Sequence, residues 1–473
     1  MQENGEYPPD FVAHGLHEVY SPFWSDLPHT DIFRCISSDL LHQLHHGVFK
    51  DHLVQWCTAL VAGGATELDK HLQSMPPYTG LRHFEKGISP ITQWSAGEHR
   101  QLQRVFVAAL AGSVDSRAMK AVRALLDFVM VAQYHSQTTE TLTRLRQSLT
   151  DFHANKQIFI ALNARTQDHF NIPKLHSLLH YLETILALGS LDGLNTENTE
   201  RLHIDFAKKA WRGTNHKDYV FQMARWLQRR ESALDVEEPI LSDTEDMPSD
   251  SVAHPHNPTL PAAPEVAKHP PVRGVSVPTL EADYGAFGFV ATLTTFLMEE
   301  GRLRHGFHPN EYDHFDLYNG AVLHIRPDAH LNPNLLRMRI RATAAHSNGP
   351  RKSHSLPRWD TALLEEDHDA YAEFGGLNGL RVVQIRAIFK LPEHLSRPVL
   401  EEPLVYVHLF RKLGAMDEDS GMYKFKRATH RGQLWARVVR LSKLIRPCHI
   451  TPKFGRTAVP RNWIGEEQSC FGP

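Results

Sequence analysis

With 473 residues, 41% of them hydrophobic, the chain is long enough for two or three domains that each bury a core. Its 51 Lys and Arg against 54 Asp and Glu give a formal net charge of -3, which excludes indiscriminate coating of nucleic acid but leaves room for a local basic face. No stretch nears the roughly 20 apolar residues of a bilayer span and the start "MQENGEYPPDF" lacks a basic-then-apolar order, so no membrane and a nuclear or cytoplasmic location are expected.

Residues 1–30 read as an extended N-terminal segment. From 31 to 235 apolar residues recur at helical spacing. "LLHQLHHGVFKDHLVQWCTALV", "RQLQRVFVAALAG", "MKAVRALLDFVMVAQYH" and "TETLTRLRQSLTDFHANKQIF" all follow it, and "MPPYTG", "AGSVDS" and "NIPK" punctuate them as stops. Residues 236–280, crowded with Pro and small or acidic residues, are too poor in large apolar groups to offset ordering entropy and are expected to be a disordered linker. Residues 281–473 hold short β-branched or aromatic runs, among them "RVVQIRAIFKL", "LVYVHLF" and "ARVVRLSKLI". They predict a small, largely antiparallel β domain, entered through a helix at about Tyr284 to Glu300. The fold class expected is α+β, a mainly helical N-terminal domain joined by the linker to a β-rich C-terminal one.

Cys35, Cys57, Cys448 and Cys470 lie far apart without a C-x-x-C pair, so neither a zinc ribbon nor a disulfide framework is expected. The His-rich stretch "SSDLLHQLHHGVFKDH" carries His42, Gln43 and His46, one letter from the zincin H-E-x-x-H. Gln43 stands where the general base would be, and an amide cannot take a proton from water, so a protease is not expected. Asp39 with His42 and Glu200 with His203 form two carboxylate-x-x-His pairs of the kind di-iron bundles use, yet nothing selects further ligands such as Glu67 or Glu183. A metal-binding helical protein built on Asp39, His42, His46, Glu200 and His203 stays one alternative. On helices so rich in His, such spacings also arise as ordinary hydrogen-bonded pairs.

The third pattern is "GLNTENTERLHIDFAKKAWRGTNHKDYVFQMARWLQRRE", Gly193 to Glu231. Glu197 and Glu200 open a helix whose expected apolar side is Leu202, Phe206, Ala210 and Trp211. Arg201, Lys208, Lys209, Arg212, Lys217, Arg225, Arg229 and Arg230 form a basic stripe suited to phosphates. A carboxylate beside such a stripe fits metal-assisted phosphodiester chemistry. Acidic first turns and basic later turns also simply complement the helix dipole, so both readings stand.

Three stretches, "SPFWSDLPHTDIFRCISSDLLHQLHHGVFKDHLVQW", "MPPYTGLRHFEKGISPITQWSAGEHRQLQRVF" and the Gly193–Glu231 segment, resemble in order the transposases of Plavaka elements, a fungal branch of the CACTA-type transposons. The likeness runs from about Val19 to Glu231, with a family-like region from about Gly375 to Gly455. It implies an RNase H-like core with two Asp and one Glu holding Mg²⁺ or Mn²⁺, and a helical insertion before the Glu. It implies that "DLLH" carries the family's [Cys or Asp]-x-x-His signature through Asp39 and His42, and that Glu200, or Glu197, is the metal-holding Glu. In the family both Asp residues precede the "PFW" segment, and Asp10, Asp26 and Asp31 lie too near it to replace them. The chain is therefore expected to be an N-terminally truncated transposase, inactive alone, with an incomplete metal site at Glu200 and no bound ion. Expected partners are DNA, a full-length transposase or a second copy. A protein-interaction scaffold without nucleic-acid contact is the remaining alternative.

Overall fold

A computed structural model describes residues 22–29, 31–234, 263–301, 308–331, 334–345, 356–395, 400–455, 459 and 470–472. The helical lobe starts with α1 (Ile32–Cys35), followed by a helix of π-type bonding, Leu40–Val54, that runs directly into α2 (Gln55–Leu60). Its buried apolar residues include Leu40, Leu44, Val48, Phe49 and Leu53. Leu40, Leu44 and Val48 follow one another at steps of four residues, as do Phe49 and Leu53, so they share one buried face. The Lys174 side chain crosses the helix at Gly47, where a Cβ would lie 2.1 Å from its Cδ.

Next come α3 (Gly64–Ser74), α4 (Ala96–Leu110), α5 (Ser116–Ala132) and α6 (Thr139–Asn155). Local chemistry sets their starts. Ser95 and Glu98 close a capping box on α4, Asp115 caps α5, and Thr138 with Thr141 caps α6, each satisfying amides that a helix start leaves without partners. Phe49, Phe106, Phe128 and Phe152 are fully buried in one apolar core, each such side chain contributing roughly 1.5–3 kcal/mol through removal from water. After α7 (Tyr181–Leu188) the lobe ends in α8 (Glu197–His203), α9 (Lys209–Arg212) and α10 (Tyr219–Leu234), with a π-type turn, Ile204–Lys208, joining α8 to α9.

The C-terminal lobe begins earlier than its composition suggests. Strands β1 (Glu265–Val266) and β2 (Val272–Ser276) and helix α11 (Val277–Asp283) lie inside or across the stretch expected to be a linker, because "VRGVSV" supplies β-branched residues that pair with a later strand. Residues 236–262 of that stretch lie outside the described residues. Helix α12 (Phe289–Glu299) falls within the helix expected at Tyr284 to Glu300. The strands that follow are β3 (His314–Tyr318), β4 (Gly320–Ile325), β5 (Leu336–Thr343), β6 (Arg358–Trp359) and β7 (Thr361–Glu365), then, after α13 (His368–Phe374), β8 (Leu380–Lys390) and β9 (Leu404–Leu409). Later come β10 (Ala436–Arg440) and β11 (Leu444–Pro447).

The larger sheet runs β10-β9-β8-β3-β2, with β7 also on β8 and β11 on β7; a second runs β1-β4-β5-β6. Every pairing among these strands is antiparallel. Strand β8 is central and covered on both faces, so its burial is almost continuous rather than alternating. Phe289 of α12 packs edge-on to Phe315 and Phe389, at centroid distances of 4.9 and 5.2 Å. Fold class is thus α+β, helices first and antiparallel sheets after.

The lobes touch. The Tyr78 hydroxyl donates to the Pro447 carbonyl at 3.1 Å, Nε2 of His449 lies 2.9 Å from the Pro76 carbonyl, and the His71 ring stacks on Phe454 at 4.0 Å. Phe454 belongs to the core of the helical lobe. Of the cysteines with described surroundings, Cys57 and Cys448 are buried and Cys35 is exposed, all as thiols. No described helix is long and apolar enough to cross a membrane.

Candidate functional site

Asp39 is the N-cap of the π-helix. Its Oδ2 accepts the His42 amide at 2.5 Å and lies 2.7 Å from Nδ1 of the His42 ring. Its Oδ1 accepts the amide of Thr196 at 3.0 Å and its hydroxyl at 2.8 Å. Burial alone would raise the Asp39 carboxyl, but the His42 and Thr196 amides, the Thr196 hydroxyl and the His42 ring outweigh it and hold the group below its ordinary value. The Asp39 carbonyl also accepts the hydroxyl of Tyr181, at 3.2 Å. One side chain therefore ties the start of the π-helix to the start of α8, 157 residues later.

That tie brings two distant motifs together. Nε2 of His42 lies 2.7 Å from Oε1 of Glu200, in a pair whose side chains are 55% and 54% exposed. The expected signature residues Asp39 and His42 thus stand in line with the expected acidic residue. The i,i+3 pair of Asp39 and His42 is closed, whereas Glu200 turns to His42 and His203 is exposed. Glu197, the alternative, turns elsewhere, to Nη2 of Arg100 at 2.7 Å.

The remaining histidines of the stretch have other tasks. His45 is buried against Nε2 of Gln103 at 2.9 Å, and burial, then the charge of Arg100, pushes it down to about 4. His46 faces Asp51 at 3.4 Å and Lys50 at 3.3 Å, so His42 and His46 do not share a ligand position. Glu67 pairs with Lys70 at 2.9 Å, and Glu183 is exposed. Among the described residues no group of three or more His, Cys, Asp or Glu is arranged to hold a metal ion.

The basic stripe splits. Arg201, Lys208, Arg212, Lys217, Arg225 and Arg229 are exposed. Lys209 pairs with Asp205 at 2.6 Å. Arg230 donates to the Asp205 carbonyl at 3.0 Å and covers the rings of Phe206 and Trp226. The expected apolar side is a correction: only Ala210 is buried, while Leu202, Phe206 and Trp211 are 50%, 44% and 38% exposed. Helices α8 to α10 project from the core rather than lying on it, which spacing along one helix cannot reveal.

Sequence reasoning missed Thr196, Arg100 and Tyr181. The only available signal was local: Thr196 sits at a helix start just before Glu197, where hydroxyl residues are enriched.

An α+β protein with a carboxylate–histidine–carboxylate line on a helical lobe and a flanking basic stripe is the class defined by this geometry. The Plavaka transposase family model matches residues 1–57, a span that includes Asp39 and His42 and stops short of Glu200. The match supports a Plavaka-type transposase and hence a transposon-derived protein. No curated protein and no solved structure matches the chain.

Proposed function

We propose that the chain is a transposon-derived DNA-binding protein related to DDE-type transposases, in which Glu200 is the acidic residue of the RNase H-like site and Asp39, Thr196 and His42 position it. The observation that carries this reading is the His42–Glu200 contact, which joins the signature pair to the very Glu that the family resemblance implies. Exposed cations from Arg201 to Arg229, on the segment that Glu200 begins, then offer phosphate contacts.

A Mg²⁺ or Mn²⁺ pair does not fit the described residues. Two-metal phosphodiester chemistry needs several carboxylates converging on ions roughly 3.5–4 Å apart. Both Asp39 oxygens already accept hydrogen bonds and both His42 nitrogens face carboxylates, which leaves Glu200 alone. The chain by itself is accordingly proposed to bind DNA without cutting it, with a full-length transposase as the partner that completes the site and a second copy as a partner that would not. Incubating the purified chain with supercoiled DNA and Mg²⁺ or Mn²⁺ tests this: no nicking is expected, and nicking that disappears in Glu200→Ala would refute it.

A second reading, an interaction scaffold without nucleic-acid contact, is favoured by the exposed Leu186 and Leu202, 69% and 50% accessible. Retention on DNA that falls steeply with salt separates the two.

A further inference from the structure

The turn between α9 and α10 holds a cluster of rings that neither the carboxylate line nor the core uses. The His216 ring lies parallel to Trp211, 4.6 Å away at 9°, and Tyr219 meets Trp211 edge-on at 4.7 Å. Much of this ring surface faces water: Trp211, Tyr219 and Phe221 are 38%, 44% and 71% exposed, and Val220 is 68% exposed. His216, Asp218, Tyr219, Val220, Phe221 and Ala224 line one open groove.

The cluster is built rather than incidental. His216 and Asp218 sit at φ 64° and 47°, a left-handed conformation that side chains other than glycine adopt at a cost. Side chains pin that backbone. Thr214 Oγ1 accepts the His216 amide at 3.2 Å, Asn215 Oδ1 accepts the Lys217 amide at 3.0 Å, and Gln222 Oε1 accepts the Asn215 amide at 3.1 Å. Gly213 leaves room for Trp226, whose Cδ1 a Cβ would meet at 2.8 Å. The Trp211, His216 and Tyr219 rings are thus oriented before any ligand arrives, which lowers the ordering cost of binding.

Charge identifies the ligand. Between residues 201 and 231 there are eight Lys and Arg against three Asp and Glu. Among the described residues, Lys208, Arg212, Lys217 and Arg225 make no ion pair. The centre of a protein–protein interface is depleted of lysine, so Lys208 and Lys217 count against such a partner here. Cations interleaved with exposed rings instead match a nucleic-acid strand whose bases are unpaired, the cations meeting phosphates and the rings meeting base faces. In a duplex those faces are hidden in the stack. We propose that Trp211, His216, Tyr219 and Phe221 form a stacking site for unpaired nucleotides of a DNA strand, with Lys208, Arg212, Lys217 and Arg225 holding its phosphates. This rests on the DNA-binding reading above and names the form of DNA that the stripe takes.

The test compares the full chain binding a fluorescent oligothymidylate of about a dozen nucleotides with binding to a duplex of equal length. Phe221→Ala removes a side chain that is mostly in water, so its folding is expected to be intact; Trp211→Ala is checked by its thermal melt. Each is expected to weaken the single strand ~5- to 100-fold, as loss of one stacked base does, and to leave duplex affinity within about twofold. Trp211→Phe, which keeps a ring, restores most of the affinity. Single-strand binding unchanged in Phe221→Ala and Trp211→Ala, or an equal loss on duplex, overturns the stacking site while DNA binding by the stripe stands. Absence of binding to either DNA overturns both.

Discussion

The His42 ring bridges two carboxylates, its Nε2 2.7 Å from Glu200 and its Nδ1 2.7 Å from Asp39. The two contacts differ in weight. Glu200 is 54% exposed, so its pairing with His42 is screened and of low energy. Asp39 is 15% exposed and accepts hydrogen bonds from two segments at once. Asp39 is therefore the structural member of the line, and Glu200 the one open to a ligand.

That asymmetry predicts unequal outcomes for two substitutions. Asp39→Ala removes a helix N-cap and the Thr196 contacts together and should lower stability by about 2 kcal/mol in urea titrations. Glu200→Gln should change it by less than about 0.5 kcal/mol. Because the Asp39 carboxyl is held below its ordinary value of 3.8 in the folded chain, its contribution is complete above that pH and is lost as pH falls below it. Asp39→Asn should remove that part of the acid limb, leaving a flatter stability profile below about pH 4.

Buried histidines predict a second, higher acid transition. Burial, followed by neighbouring charges, pushes His45 and His99 down to about 4 and His408 to about 3. For His449 burial does the same, to about 4. Unfolded, each would titrate near 6.5. Between these values the unfolded chain takes up protons that the folded chain refuses, so stability is complete above about pH 6.5 and falls steadily toward pH 4. The expected loss is roughly 1–3 kcal/mol per histidine, read as a shift of the urea midpoint between pH 7 and about 4.5. A midpoint that stays level across that range would contradict the neutral burial of these rings.

How far the sequence anticipates this follows from what kind of signal each feature leaves. Helices with a buried face leave periodic apolar residues, and strands such as β8 and β9 leave β-branched runs, so both were legible. Register between distant segments leaves none. Nothing in "DLLH" says that Asp39 will hold Thr196, and the resemblance suggested Glu200 without saying that His42 would touch it. Strand β2 was missed because its five residues follow a Pro-rich stretch whose composition outweighs them. The exposure of Leu202, Phe206 and Trp211 was missed for the opposite reason, since their helical spacing resembles that of a core face.

The contact between lobes makes Gly112 a sensitive position. Its φ is +89°, and a Cβ there would lie 2.1 Å from the carbonyl oxygen of Phe454, a backbone atom that cannot rotate away. Gly112→Ala is expected to cost roughly 2 kcal/mol or more, from strain at positive φ and from displacing Phe454 off His71. Phe454→Ala, which empties a fully buried site without moving the backbone, should cost ~3–5 kcal/mol. If Gly112→Ala acts by displacing Phe454, the double variant should lose less than the sum of the two, because neighbouring sites couple.

The basic stripe makes a prediction that does not depend on where the rings sit. Each phosphate neutralised by a cation releases counterions, so the logarithm of the binding constant falls linearly with the logarithm of salt, by about 0.7 per contact on single strands and 0.9 on duplex. Lys208, Arg212, Lys217 and Arg225 are exposed cations. Changing all four to Gln should therefore reduce the slope by about 2.8 on single strands and about 3.6 on duplex and weaken binding most at low salt. Lys209 and Arg230, already engaged with Asp205 and with the Phe206 and Trp226 rings, should contribute much less when changed to Gln. A slope that the four substitutions leave unchanged would mean that phosphates lie on another face, even if the chain binds DNA.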